Sequence, residues 1–349
     1  MKEITFVIIG VGNIGAKYAK LLTNFDQAEL VAAVDIDFNK RKSIPNLVPF
    51  FTSLEDFFVA KIPADVICIC SPNGYHAQHT IACLENGYHV ICEKPVALTT
   101  EEVNSMMMAE KATGKKVFAV MQNRYSPVAI WLKKLMQKKQ LGDLLFLQVN
   151  CFWNRNQKYY DDSKWRKTKL IGGGPLYTQF SHFIDLMVWL AGEPSEIQSN
   201  LFTLNKKIKT EFEDSGIINF NLENGGKGSF NFTNATYQKN VESSITIIGT
   251  KGNVKVGGQY MEKLEFVNTE ENFEMPVFDQ ITSANQYQFY SGSADKHDDF
   301  LKVVIACIQN DKAPEIGLKD ELKVIHFIEQ SLDFMNTKLI KPNSDLDVY

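Results

Sequence analysis

Three glycines near the start of the chain have the spacing of a pyrophosphate-binding turn. Gly10, Gly12 and Gly15 directly follow the apolar run 5–9. A buried strand that turns into a helix leaves backbone N–H groups and a positive dipole end facing outward, where an anion binds. Asp35, at the end of a second apolar run, is placed to accept hydrogen bonds from a ribose. The pattern predicts a dinucleotide site; the alternative is a strand–helix–strand unit without a ligand.

The same region bears on which dinucleotide binds. The charge of Asp35 favours NAD over NADP, because a 2′-phosphate would meet a carboxylate. Ile36 supplies no positive charge to reverse this preference, whereas Arg41 is close enough in sequence to leave NADP use open. Asn13 and Ile14, inside the glycine turn, are assigned to the cofactor with the three glycines.

Lys94 is the first candidate for proton transfer. It lies at the carboxyl end of a predicted strand, where ligands bind in open α/β sheets, between Glu93 and Pro95. A lysine beside a positive nicotinamide and a second cation can have a lowered pKa and shuttle a proton from an alcohol. The alternative is a surface lysine paired with Glu93.

His182 is the second candidate. It lies on a helix predicted over about 176–190, with Asp185 three residues later on the same face, and the glycines 172–174 before that helix leave room for a ligand. A histidine on an apolar helix face can equally be a hydrogen-bonded core residue. Both interpretations stay open at this point.

The loop 153–166 is rich in aromatic and basic residues. Arg155 and Arg166 offer planar forks for a carboxylate or phosphate, and aromatic side chains such as Tyr160 can stack on sugars or bases. The loop is therefore a candidate substrate site, and the alternative is that its aromatic rings cover a sheet face.

The elements that position these residues divide the chain in two. Strand and helix patterns alternate from residue 4 to about 120, which predicts a doubly wound parallel sheet of the α/β class. Runs of strands between 196 and 267, with a hairpin around the turn 224–226, then predict an α+β domain with a large, mostly antiparallel open sheet. We expect domains over 1–122 and 123–349, with the last helices, about 294–309 and 319–337, packing back on the first domain.

Composition narrows the class of protein. The chain has 349 residues, enough for two domains, and its net charge of −4 argues against nucleic acid as a partner. It shows neither a signal peptide nor an apolar run long enough to span a membrane, so we expect a cytoplasmic protein without a membrane partner. The six cysteines fit no zinc pattern and are expected in the core of a reduced protein, with no metal site.

Taken together, the motifs resemble the superfamily of glucose–fructose oxidoreductase, inositol dehydrogenase and MocA-like proteins. The matching segments are Gly10-x-Gly12-x-x-Gly15, Ser71-Pro72-Asn73-x-x-His76, Cys92-Glu93-Lys94-Pro95, and Gly172-Gly173-Gly174 followed by His182-x-x-Asp185. The resemblance implies NAD-dependent redox chemistry at a sugar or cyclitol carbon, with Lys94 and His182 as catalytic groups. It also implies a cis Lys94–Pro95 bond. Further cofactor contacts are assigned to Ser71, Asn73, His76, Glu93, Lys94 and Gln122.

One position departs from many relatives, which carry an aspartate four residues before the catalytic histidine. This chain has Thr178 there, and a hydroxyl cannot hold a negative charge near neutral pH. The chain is more similar here to bacterial UDP-N-acetylglucosaminuronate 3-dehydrogenases, which share the segment 122–125 and the loop 153–166 and carry an uncharged amide in place of that aspartate. This chain follows them in Gln179 and in having no acid there, although Thr178 replaces their usual asparagine. Assigned substrate contacts are Arg155, Tyr160, Arg166, Thr178, Gln179 and His182.

This sub-family implies oxidation of the C3 hydroxyl of UDP-N-acetylglucosaminuronic acid in surface-polysaccharide (lipopolysaccharide) biosynthesis. It implies in-place recycling of NADH on 2-oxoglutarate and a homo-oligomer, either a dimer or a tetramer. Alternatives are a dehydrogenase of a free sugar or inositol, and a non-catalytic nicotinamide-binding regulator. The exact sugar, the direction of the reaction, and which of Lys94 and His182 accepts the proton stay open.

Overall fold

The computed structural model describes residues 3–270, 276, 278, 284–287 and 290–338. The strands are β1 (Ile4–Ile9), β2 (Ala28–Val34), β3 (Phe50–Phe51), β4 (Val66–Ile69), β5 (His89–Cys92), β6 (Val117–Ala119), β7 (Leu144–Phe152), β8 (Ser195–Phe202), β9 (Ser215–Asn221), β10 (Lys227–Thr233), β11 (Glu242–Gly249), β12 (Gly252–Gly257), β13 (Lys263–Thr269), β14 (Ala284–Tyr287) and β15 (Tyr290–Ala294). The helices are α1 (Asn13–Leu22), α2 (Leu54–Ala60), α3 (His76–Glu85), α4 (Thr100–Thr113), α5 (Pro127–Gln137), α6 (Gln157–Asp161), α7 (Lys169–Gly172), α8 (Ser181–Ala191), α9 (His297–Gln309) and α10 (Leu318–Lys338).

The chain divides into two compact units, each discontinuous in sequence. The first comprises Met1–Tyr125, Thr168–Gly173 and Asp295–Ile325. The second comprises Ser126–Lys167, Gly174–Ala294 and His326–Tyr349, of which residues 339–349 lie outside the described part. The first unit thus contains a short segment from the middle of the chain and α9 from near its end.

The first unit is built on a six-stranded sheet in the order β3-β2-β1-β4-β5-β6. Every neighbouring pair in it is parallel. The chain reverses its direction of winding between β1 and β4, and ligands bind outside the carboxyl ends of the strands at such a switch point. The doubly wound parallel sheet expected from the alternating sequence pattern is confirmed.

The core of the first unit includes residues from near the end of the chain. Phe300, Leu301 and Val304 of α9 are at most 2% exposed and belong to the same apolar cluster as Phe6 and Tyr18. Burying a large apolar side chain contributes about 1.5–3 kcal/mol, so α9 is a major contributor to the stability of this unit.

The second unit contains a seven-stranded sheet in the order β13-β12-β11-β7-β10-β9-β8. Only the β7–β10 pair is parallel, and every other neighbouring pair is antiparallel. The predicted open, mostly antiparallel sheet is therefore confirmed, as is the hairpin of β9 and β10 around residues 224–226. Phe220 and Phe230 are buried and contact Phe327 of α10, so this face of the hairpin is core.

The helix expected over 176–190 begins differently from the prediction. Leu176–Phe180 forms a π-helical turn, and α8 starts only at Ser181. The Thr178 hydroxyl donates to the carbonyl of Gly174, four residues earlier, at 2.7 Å. Hydroxyl bonding to a preceding carbonyl competes with regular helical geometry, and π-helical turns occur frequently at functional sites.

Two further observations concern membrane-spanning helices and the cysteine thiols. Within the described residues, every helix is too short or too polar to cross a membrane. All six cysteines are unpaired thiols, five of them buried and Cys70 half-buried. Burial raises the pKa of the Cys70 thiol, which keeps it in the inert, protonated form.

The environment of His89 predicts a loss of stability in acid. Its Nδ1 accepts a hydrogen bond from the backbone N–H of Lys116 at 3.0 Å, and partial burial lowers the pKa of His89 from 6.5 to about 4. Between these values the unfolded chain binds more protons than the folded one, so stability falls as the pH drops from 6.5 towards 4.

We therefore expect the melting temperature to fall across this pH window, and less steeply in His89→Asn. The asparagine amide oxygen can replace Nδ1 as acceptor but does not titrate. Thermal unfolding followed by circular dichroism at several pH values measures both slopes. Equal slopes for the variant and the unsubstituted protein would contradict this assignment.

Candidate functional site

The glycine turn joins β1 to α1 in the first unit. Gly10 has a φ of +88°, and a Cβ there would lie 2.6 Å from the backbone nitrogen of Ser71. A Cβ on Gly15 would lie 2.0 Å from the carbonyl oxygen of Gly10. The fold itself therefore requires glycine at both positions.

Gly12 differs from the other two glycines. A Cβ built on it would meet no atom of the described residues within 4 Å, and its φ of −75° is open to any residue. Gly12 is also the N-cap of α1, and no side chain caps this helix end. The open space beside an uncapped helix N-terminus fits the pyrophosphate of a dinucleotide, with Asn13 and Ile14 in the first turn.

Asp35 is held against the glycine turn by two backbone N–H groups. Its Oδ2 accepts from Val11 at 2.7 Å and its Oδ1 accepts from Asp37 at 2.8 Å. Each carboxylate oxygen keeps a further lone pair for a ribose hydroxyl. The Arg41 guanidinium instead donates to the carbonyls of Ile44, Pro45 and Asn46. The Arg41 guanidinium thus binds carbonyls of its own turn rather than pointing a charge at a 2′-phosphate, which strengthens the expected preference for NAD.

We expect the protein to bind NADH at least tenfold more tightly than NADPH, and Asp35→Asn to reduce this ratio about tenfold or more. The reason is the repulsion between the Asp35 carboxylate and a 2′-phosphate. Titration of nicotinamide fluorescence measures both dissociation constants. Asp37→Asn, which removes a nearby charge from a residue that caps the 38–43 turn, is the matched control. Equal affinity for both cofactors in the unsubstituted protein would refute the assignment.

The Ser71–His76 segment follows β4, at the same end of the sheet. His76 is 1% exposed; its Nε2 lies 2.7 Å from the carbonyl oxygen of Ser71 and its Nδ1 lies 2.6 Å from that of Pro95. Asn73 is also buried and donates to the carbonyl of Gly172 at 3.0 Å. Since both ring nitrogens of His76 face backbone carbonyls, the structure assigns this side chain to linking two loops. Cofactor contact by Ser71, Asn73 and His76 stays a prediction.

Lys94 follows β5, next to the switch point. The Lys94–Pro95 bond is cis, as the resemblance implied. The backbone N–H of Lys94 donates to Oε2 of Glu93 at 3.3 Å, and Glu93 is 6% exposed. Burial by itself raises the pKa of Glu93. The hydrogen bonding and charge of His297, together with the charge of Lys94, outweigh this effect, so the net pKa of Glu93 is lowered. Glu93 therefore holds a negative charge beside Lys94.

Gln122 is 3% exposed and begins a short 3₁₀ turn, Gln122–Tyr125, after β6. The first unit therefore gathers the predicted cofactor residues at the carboxyl ends of β1, β2, β4, β5 and β6. Their individual contacts with NAD remain predictions.

In the second unit, two arginines of the predicted substrate loop pack on one aromatic ring. The Arg155 guanidinium carbon lies 5.2 Å from the centre of the Tyr159 ring, and that of Arg166 lies 4.5 Å from it. Arg155 is 3% exposed, also stacks on Trp153 and donates to the carbonyl of Asn154 at 2.7 Å. Arg166 is only half-buried. Arg166 is therefore the better placed of the two to meet an anionic ligand.

The same ring leads into a buried polar network. The Tyr159 hydroxyl accepts a hydrogen bond from the Gln179 side-chain amide, whose oxygen accepts from Asn234 at 3.0 Å. Tyr160 is 3% exposed, and its burial, followed by its neighbour Tyr159, raises its pKa. Tyr160 is thus a neutral hydroxyl beside this network.

His182 and Asp185 lie in the first turns of α8, and both are buried, at 1% and 0% exposed. Thr178 precedes them in the π-helical turn and directs its hydroxyl hydrogen to Gly174. Its oxygen can therefore accept, but not donate, a further hydrogen bond. Catalysis by His182 and substrate contact by Thr178 remain predictions.

Some residues of these networks have no recognisable sequence signal. Tyr159 lies inside the loop 153–166 but no spacing singles it out, and Asn234 lies in a strand-rich region without a motif. His297 lies far along the chain from Glu93, yet the two side chains are 3.4 Å apart.

Two family models match the chain. Residues 4–121 match an oxidoreductase family with an NAD-binding Rossmann fold, GFO_IDH_MocA. Residues 130–255 match the GFO/IDH/MocA C-terminal domain.

Solved structures extend this similarity over nearly the whole chain. The WlbA dehydrogenase from Chromobacterium violaceum, solved with NADH and UDP-GlcNAcA, is 30% identical, with a TM-score of 0.85 over 97% of this chain and 95% of that one. The Bordetella pertussis WlbA dehydrogenase, solved with the same two ligands, is 29% identical, with a TM-score of 0.85 over 96% of this chain and 98% of that one.

A curated relative has a different substrate. Glucose-6-phosphate 3-dehydrogenase from Bacillus subtilis is 27% identical over 327 residues, which are 89% of this chain and 90% of that protein.

Proposed function

The chain belongs to the GFO/IDH/MocA family of NAD-dependent oxidoreductases that act on CH–OH groups, and we propose that its substrate is a UDP-linked uronic acid, UDP-N-acetylglucosaminuronic acid, oxidised at C3. The observation that carries this proposal is the similarity to two WlbA dehydrogenases solved with NADH and UDP-GlcNAcA, which extends over at least 96% of this chain.

The Arg166 guanidinium supports an anionic substrate. Arg166 is half-buried, its guanidinium lies over the Tyr159 ring, and its Nη1 donates to the Tyr159 carbonyl at 3.2 Å. A guanidinium binds a carboxylate through two parallel N–H···O bonds. We therefore assign the uronate carboxylate to Arg166, and the buried Arg155 to holding the loop.

The reaction divides between cofactor and protein. Bound NAD would supply the hydride acceptor for C3. Lys94 or His182 accepts the proton of the C3 hydroxyl, which leaves a 3-keto sugar. In this proposal Thr178 and Gln179 contact the substrate, and 2-oxoglutarate would serve as the oxidant that regenerates NAD.

The test uses the full chain with UDP-N-acetylglucosaminuronic acid, NAD and 2-oxoglutarate. We expect a product two hydrogens lighter than the sugar, together with 2-hydroxyglutarate, both followed by mass spectrometry. UDP-N-acetylglucosamine, which lacks the carboxylate, serves as the comparison substrate. The proposal fails if the uronate yields neither product.

The role of Arg166 is tested separately. Arg166→Gln is expected to reduce the preference for the uronate over UDP-N-acetylglucosamine by about ten- to a hundredfold, because the charge-assisted pair with the carboxylate is lost. The matched control is Lys164→Gln, which removes an exposed positive charge from the same loop. An equal loss in both variants would indicate general attraction of an anion rather than pairing with Arg166.

A second candidate substrate is a sugar phosphate, supported by the similarity to glucose-6-phosphate 3-dehydrogenase. NADH formation with glucose 6-phosphate, and none with the uronate, would favour it. Inositol and unmodified glucose complete the substrate panel.

We also propose that the chain forms a homo-oligomer, a dimer or a tetramer, through the outer face of its seven-stranded sheet. Partly exposed polar residues such as Gln148 and Asn150 share this face with Ile217, which is 45% exposed. Sedimentation velocity of the unsubstituted protein and of Ile217→Lys tests this proposal, and a monomeric unsubstituted protein would refute it.

A further inference from the structure

A buried carboxylate connects the lysine proposed for proton transfer to two other elements of the first unit. Oε1 of Glu93 accepts a hydrogen bond from the Tyr18 hydroxyl of α1 at 3.2 Å, and Oε2 accepts from the Lys94 backbone. The Nε2 atom of His297, the first residue of α9, lies 3.4 Å from Oε1. Glu93 thus joins the end of β5 to α1 and α9.

The surroundings of His297 determine which of its nitrogens carries hydrogen. The side chain is 1% exposed and meets the Tyr18 ring edge-on at 5.8 Å. Its Nδ1 lies 3.2 Å from the Lys17 ammonium, which also binds Asp295. An ammonium only donates, so in the neutral imidazole Nδ1 accepts and Nε2 carries the hydrogen. The imidazolium carries hydrogen there too, and in both forms an N–H faces Glu93.

Charge strengthens this arrangement. Burial by itself lowers the pKa of His297, but interactions with Asp295 and Glu93 outweigh it, and the net pKa is raised. His297 in turn keeps the pKa of Glu93 low, although burial opposes this. The other titratable groups that interact with the pair are Lys17, Tyr18, Cys68, Cys70, His76, Cys92, Lys94 and Asp295.

We propose that His297 is a positioning residue that acts through Glu93 on Lys94. It keeps the Glu93 carboxylate charged and in place, so that the Lys94 backbone stays anchored and a fixed negative charge stays beside the Lys94 ammonium. This inference rests on the proposed function, in which Lys94 contacts the substrate.

Removing the His297 donor has a defined physical consequence. A buried carboxylate that loses a partner either takes up a proton or turns away, because an under-paired buried charge is costly. In either case Lys94 loses its neighbouring negative charge, and its amine becomes easier to deprotonate. The anchor of its backbone is weakened as well, which changes the position of the amine.

The experiment compares His297→Gln with His297→Asn and His297→Leu in the full chain. A glutamine can accept from Lys17 and still donate to Glu93, because its amide nitrogen reaches about as far as Nε2. An asparagine is polar but too short to reach Glu93, and a leucine is apolar. The asparagine variant keeps the comparison informative if the leucine variant fails to fold.

Two measurements are made on each variant. The first is turnover of the uronate: we expect kcat to fall about ten- to a hundredfold in the asparagine and leucine variants, with the NADH dissociation constant within about threefold, and glutamine to restore most of the loss. The second needs no substrate. The pH dependence of acetylation of Lys94 by acetic anhydride, read by peptide mass spectrometry, should shift to lower pH in the asparagine and leucine variants only. The exposed Lys111 is the internal reference.

The acetylation profile separates this inference from the proposed function. If the unsubstituted protein does not oxidise the uronate, the proposed function fails, and a shifted Lys94 profile still supports the His297–Glu93–Lys94 connection. Unshifted Lys94 profiles in the asparagine and leucine variants overturn the inference. A kcat loss that glutamine fails to restore overturns it as well.

Discussion

Lys94→Ala is expected to lower turnover by about 10²–10⁴-fold while leaving NADH binding within a fewfold of the unsubstituted protein. Lys94 lies at the carboxyl end of β5, next to the switch point of the parallel sheet, and the buried Glu93 carboxylate anchors its backbone. Removing the amine takes away the proton acceptor or the charge that assists it, but not the glycine turn that receives the cofactor. Steady-state kinetics with the uronate and fluorescence titration with NADH measure the two effects separately.

The matched control is Lys111→Ala, an exposed lysine of α4, which we expect to leave both measurements unchanged. Unaltered turnover in Lys94→Ala would remove Lys94 from the chemistry and leave His182 as the proton acceptor. If the unsubstituted protein showed no measurable turnover and Lys94→Ala retained full cellular function, the protein would be better described as a nicotinamide-binding regulator.

Gly12→Val is expected to weaken NADH binding about a hundredfold or more, with little change in melting temperature. The valine side chain would occupy the space beside the N-terminus of α1, which is open in the part of the chain that the structure describes. Its backbone φ of −75° is an ordinary conformation for valine, so the fold should accept the substitution. Isothermal titration with NADH and thermal unfolding of the ligand-free protein provide the two readouts.

Gly15→Val is the contrasting variant, with the same chemical change three residues later. Its Cβ would lie 2.0 Å from the Gly10 carbonyl oxygen, so we expect a large fall in melting temperature or a failure to fold. If Gly12→Val bound NADH as tightly as the unsubstituted protein, the pyrophosphate would have to lie elsewhere.

Much of the fold could be predicted because it is encoded locally. The parallel sheet follows from apolar runs that alternate with helical patterns, and the hairpin of β9 and β10 follows from strand patterns around residues 224–226. The start of α8 was harder to predict, because Leu176–Phe180 forms a π-helical turn in which the Thr178 hydroxyl bonds to the Gly174 carbonyl. Sequence periodicity gives no signal of such a bond.

The candidate site was predictable to the level of segments rather than of atoms. Motif spacing located Glu93, Lys94 and His76, but not the bonds of the two His76 nitrogens to backbone carbonyls. It left Arg41 as a candidate phosphate ligand, whereas three carbonyls occupy that guanidinium. His297 could not be found at all, since its partner Glu93 is distant in sequence and only the tertiary fold brings them together.

The discontinuity of the first unit has a consequence for its synthesis. Phe300, Leu301 and Val304 complete a core that begins at Ile4, so the ribosome must deliver most of the chain before this sheet can bury its apolar face. A nascent chain that has emerged only to Tyr125 holds every strand of the parallel sheet but lacks α9. Such an intermediate exposes apolar surface and is a natural client for chaperones. A cofactor-binding module that ended at Tyr125 would also lack α9 and expose this apolar surface. A domain exchanged between relatives must therefore include α9.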